Sequence, residues 1–139
     1  MTDIFVDEYT CWVTWPPGEF DVEIRYLSPI DRDKLVKQCT VRNYDRVAKQ
    51  VVETSDDQKF KRKLSDLIIN WKGLTAGKLR KFGNINPKLK DSDEMPCTPE
   101  LKLELIDRLS AEFFSTWVME TSLKLHEHLQ KKTEEEEKN

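Results

Sequence analysis

No stretch of this 139-residue chain approaches the roughly 20 consecutive apolar residues that cross a bilayer. Its first ten residues, MTDIFVDEYT, carry acids where a secretory signal carries bases. A cytoplasmic protein without a membrane partner is expected. Cysteine is scarce: Cys11, Cys39 and Cys97 are odd in number, widely spaced and form no CxxC pair. That excludes a disulfide framework or a zinc knuckle as the organising device. Histidine is scarcer still. His126 and His128 stand two apart, which on a helix points them to nearly opposite sides, whereas a metalloprotease pair needs a spacing of four. Neither GxSxG, a Walker-type loop nor GxGxxG occurs. Carboxylates are plentiful but scattered, and none has a placed partner. No catalytic residue, metal ligand or cofactor site is nominated, and an enzyme is not expected.

What is present is charge, unevenly placed. Residues 1–57 carry 7 basic and 12 acidic side chains, 58–90 carry 10 and 1, and 91–139 carry 6 and 13, giving blocks of −5, +9 and −7. A basic centre can neutralise phosphates through Lys59, Lys61, Arg62, Lys63, Arg80 and Lys81, with Phe82 free to stack on a base. It can equally attract the acidic ends of a second copy. An overall acidic chain, with pI near 5.5, favours self-association over nucleic acid.

The apolar pattern then places elements. CWVTW (11–15) and DVEIRYL (21–27) flank PPGEF and read as a β-hairpin, the second run alternating Val22, Ile24 and Tyr26 against Glu23 and Arg25. Trp12 and Trp15 project from opposite faces of it. SPID (28–31) starts a short helix to about Gln38, and NYDRVAKQVVE (43–53) reads as a weak second one. After TSDD, the residues Phe60, Leu64, Leu67, Ile68 and Trp71 form one helical stripe that Gly73 closes. Residues 75–97 read as a long loop with one helical turn around 78–82. TPEL (98–101) opens a leucine-rich helix, and an aromatic helix with Phe113, Phe114 and Trp117 follows from Ser110. The expected fold is α+β, mainly α-helical with an N-terminal β-hairpin. One domain is expected over 1–130, and the charged 131–139 is expected to be disordered.

The order of these pieces carries a resemblance. DVEIRYL followed by a short charged helix, then a helix ending in IINWKGL with its Trp71 and Gly73 signature, then a polar loop, MPCTPEL leading into a leucine-rich helix and an aromatic last helix, resembles the tail assembly chaperones of long-tailed bacteriophages and prophages. The likeness runs from about Phe20 to Leu125. It implies a small, largely helical, non-enzymatic protein of the host bacterial cytoplasm. Such a protein self-associates and coats the tape measure protein during tail morphogenesis, keeping apolar helical segments soluble. Under that resemblance Trp12, Trp15, Phe113, Phe114 and Trp117 are the expected self-association or client contacts, and Trp71 and Gly73 belong to the fold.

Overall fold

The computed structural model describes residues 8–125 and 127. The expected metal-incompetent pair His126 and His128, the start at 1–7 and the tail 131–139 lie outside them. The chain opens as expected, with β1 (Thr10–Trp15) and β2 (Phe20–Arg25) paired antiparallel so that Trp15 faces Phe20 and Val13 faces Val22. Ser28 then caps α1 (Pro29–Cys39), accepting from the Asp31 N–H at 3.2 Å.

Two helical expectations fail here. Residues 43–53 are the greater part of a second hairpin, β3 (Thr40–Asp45) and β4 (Gln50–Ser55). Five of the twelve strand positions are Val or Thr, which favour a pleated backbone. The Asp45 carboxylate accepts from the Val47 and Ala48 N–H groups, and Lys49 takes φ 54°, so the chain reverses where a helix would continue.

The stripe expected to run from Phe60 to Trp71 also divides. Asp56 caps α2 (Asp57–Asp66), and the chain then enters β5 (Ile68–Lys72), which joins β2 to complete a sheet in the order β1-β2-β5. Glu23 pairs with Asn70 but Ile24 pairs with Ile68, leaving Ile69 as an extra residue in the strand. This bulge turns Ile68 and Trp71 to the same face at a spacing of three, with Ile69 and Asn70 both outward. A bulged strand has thereby imitated the helical period. IINWKGL is a strand, and Gly73, at φ 77°, releases the chain from that strand and does not close a helix. Among the described residues the fold is therefore mixed, with five strands in two antiparallel sheets, and the mainly helical expectation is overturned.

Beyond Gly73 come α3 (Ala76–Leu79), α4 (Pro99–Arg108), a 3₁₀ turn (Ser110–Glu112) and α5 (Phe114–Leu123). The inner face of the β1-β2-β5 sheet presents Trp15, Phe20, Val22, Ile24, Ile68 and Trp71 to Leu64 of α2 and Leu67 at its end, Leu105 and Ile106 of α4, and Phe114 and Val118 of α5. One buried cluster unites these residues.

The β1–β2 turn is fitted to this cluster. A Cβ on Gly18 would sit 2.5 Å from both Phe20 Cε1 and Trp15 Cε3, side chains that are themselves held in the core. Gly18→Ala is therefore expected to cost about 1–3 kcal/mol, the usual penalty of forcing an extra carbon into a packed site. Urea unfolding measures it.

Candidate functional site

The residues nominated from sequence separate on the structure. Trp15 and Phe114 lie in the core, with ring centroids 4.8 Å apart and edge-on geometry, and Trp117 packs half-buried against both. They are spent on the interior and offer little to a partner. Trp12 stays on the outer sheet face, exposed, with Lys72 Nζ 4.4 Å above its ring. Phe113 is 72 % exposed and holds φ 60°, a left-handed backbone that breaks the last helix between the 3₁₀ turn and α5. Trp71 is buried, and its indole N–H donates to Met95 O at 2.8 Å.

The six basic residues do not assemble into one patch. Lys61 meets Asp107 at 2.5 Å, Arg80 pairs with Asp91, and Lys81 reaches Glu19 at 3.7 Å. The Lys61 hydrogen bond and charge hold the Asp107 carboxyl below its ordinary range. Any stability from that pair is therefore present above the usual carboxylate pKa and is lost as pH falls through the lowered value. Lys59 and Arg62 are exposed on α2, with Lys63 half-buried. Lys78 is also committed, donating to Glu19 O at 2.6 Å and Gly73 O at 2.7 Å, which ties the first hairpin's turn to the exit of β5.

The segment expected to be a long loop is folded back on its own start and joined to the sheet where the Trp71 indole meets Met95 O. Ala76 and Gly77 N–H groups donate to Asp93 O and Asp91 O, and Met95 N–H donates to Leu74 O. Arg80 braces the middle, its guanidinium donating to Asp91, to Leu89 O and to Asn86 O. So secured, the segment stands away from α4 and forms one wall of a groove of about 500 Å³. Leu79, Phe82, Ile85, Leu89 and Met95 line that wall; Leu101, Leu105 and Leu109 line the other.

Thr98 places the α4 wall, accepting from Leu101 N–H at 3.2 Å to set the first turn and aim Leu101 and Leu105 into the groove. Asn84, Asn86, Glu104 and Arg108 supply the polar lining, and Arg108 Nε already donates to Glu104 at 2.8 Å. No unpaired buried side-chain polar atom occurs among the described residues. The groove joins two mainly apolar walls to four polar side chains, of which Glu104 and Arg108 are paired with each other. Sequence reasoning passed over this wall. Its signal was the lone apolar residues Leu79, Phe82, Ile85 and Leu89, three or four apart in a polar background.

Among the described residues no three His, Cys, Asp or Glu side chains cluster as metal ligands. Burial pushes the Cys97 thiol above its ordinary pKa, which keeps it protonated and weakly nucleophilic at neutral pH. No helix among the described residues is long and apolar enough to cross a membrane. Neither a protein-family model, a curated protein nor a solved structure matches the chain.

Proposed function

We propose that this protein is a non-enzymatic chaperone that shelters an amphipathic helical segment of a larger client in the groove between α4 and residues 79–95. The single observation that carries this reading is the groove itself, with two leucine-rich or aromatic walls and few polar groups inside. A helix laid into it would bury its i, i+3, i+4 stripe against half-exposed Phe82, Ile85, Leu89 and Leu101. Each client side chain fully covered is worth about 1.5–3 kcal/mol in transfer terms, and each half-buried groove side chain less, before the costs of association are subtracted.

The resemblance to phage tail assembly chaperones names a client of this chemistry. A tape measure protein is a long chain of apolar helical segments that needs cover until tail tube subunits close around it. Copies bound side by side, each weakly, would hold such a chain firmly and still release it, because linked weak sites act together. The mixed fold, with IINWKGL on a strand, departs from the largely helical form the resemblance implies, so the proposal stands on the groove.

Co-expression with the tape measure protein of the same genome tests it. The client is expected to move from the insoluble to the soluble fraction and to co-purify. Failure to do so, together with salt-sensitive retention on DNA, would transfer the function to the basic residues of α2.

A further inference from the structure

Among the described residues, the β3–β4 hairpin makes its substantial contacts with itself and is anchored at its base, where Asp56 N–H donates to Cys39 O and Thr40 Oγ1 to Val36 O. A two-stranded ribbon alone in water is marginal. Its register sets Arg42 opposite Glu53 and Tyr44 opposite Val51, and cross-strand partners share a face. That face is bare. Tyr44 and Val51 are 62 % and 61 % exposed, and Arg42 and Glu53, 3.0 Å apart, keep side chains 75 % and 57 % exposed.

We propose that this ribbon face is a self-association surface and that its partner is the same face of a second copy. The proposal deepens the self-association that belongs to the chaperone reading, and it uses a surface separate from the client groove. Its basis is charge complementarity under a twofold axis, with the exposed Tyr44 and Val51 beside the charged pair. Stack two such faces about 10 Å apart, as packed sheets are, with the axis between them and along the strands. The rotation lays β3 of one copy over β4 of the other. Arg42 then faces the second copy's Glu53, Glu53 faces its Arg42, and each Tyr44 lies on a Val51. A twofold across the strands, centred on the charged pair, would instead set like charges on each other. The face is small beside the roughly 1,600 Å² of a standard interface. The association is accordingly weak, with Kd of order 10–100 μM, and it strengthens when copies are gathered on one client.

Sedimentation analysis of the full chain over a concentration series tests this with two variants, Arg42→Glu and Glu53→Arg. Wild type is expected to pass from monomer to dimer. Each variant alone places like charges across the twofold and is expected to dimerise at least tenfold more weakly. An equimolar mixture of the two restores opposite charges at every contact and is expected to dimerise again. Far-UV circular dichroism confirms that both variants are folded, and Tyr44→Glu, at an exposed site, gives a second route to the monomer. Wild type that stays monomeric, variants that dimerise unchanged, or a mixture of folded variants that fails to recover would each overturn the proposal. The same samples are titrated with an amphipathic helical peptide. A monomeric wild type that still binds the peptide overturns this inference alone, and a dimer that ignores every such peptide overturns the groove reading alone.

Discussion

Phe114→Ala is expected to lower folding stability by about 3–5 kcal/mol, a large share of the 5–15 kcal/mol typical of a folded protein. The side chain is fully buried at the start of α5. Its ring meets Trp15 edge-on at 4.8 Å, lies 5.9 Å from Trp117 and 6.1 Å from Phe20. Truncation therefore empties the place where the first hairpin and the last helix join, and surrounding aromatic rings cannot collapse into it without leaving their own contacts. Urea unfolding should show a midpoint far below wild type, with native-like circular dichroism before the transition. Phe113 next door is the control. Being 72 % exposed, it has little burial to lose, and Phe113→Ala should stay within about 0.5 kcal/mol of wild type. Equal losses at the two positions would mean that the left-handed turn at Phe113 does not divide them as described.

The second large effect concerns binding. Leu101→Glu on the α4 wall and Leu89→Asp on the facing wall each place a carboxylate in an apolar groove. A client helix must then bury an unpaired charge or leave its site wet, and either outcome weakens binding by about 100-fold, the equivalent of about 3 kcal/mol. Both side chains are half-buried, so the fold should lose only about 1–2 kcal/mol. Isothermal titration with an amphipathic client peptide reads the affinity, and melting curves read the fold. A pair of variants on opposite walls separates binding from local damage, because no single misfolded segment explains both losses. Peptide affinity unchanged in both would remove the groove from the account.

The parts of this fold that sequence made legible are those whose signals are local. Val22 and Ile24 alternate with Glu23 and fall on the buried and outer faces as period two requires. Ser28 and Thr98 both cap the helices they precede. What misled was spacing that two geometries share. Ile68 and Trp71 are three apart on a helix face, and they are also three apart across a strand that carries one extra residue. Nothing local separates the two; the partner Ile24, 44 positions earlier, decides it. Tyr44, Val47 and Val51 posed the same ambiguity, resolved by Asp45 bonding forward into a turn. The groove was hidden for a different reason. Its walls come from segments that sequence reads separately, a polar loop and a helix, and they are brought opposite each other by Arg80, the Trp71–Met95 bond and the backbone bonds between residues 91–95 and 74–77.

The candidate aromatic contacts were legible as residues but not as to role. Alternation correctly put Trp12 and Trp15 on opposite faces of the first sheet. Helical spacing from Ser110 onward runs through Phe113 and Phe114 without a break and assigns both one task. The left-handed residue between the 3₁₀ turn and α5 sends the first outward and the second into the core.

Hydrogen exchange of the full chain with and without an amphipathic helical peptide of the proposed client class tests the central claim most directly. Slowed exchange in 79–89 and 101–109, with the β1-β2-β5 sheet unchanged, is the predicted result. No protection at saturating peptide, or protection confined to the basic face of α2, would contradict it.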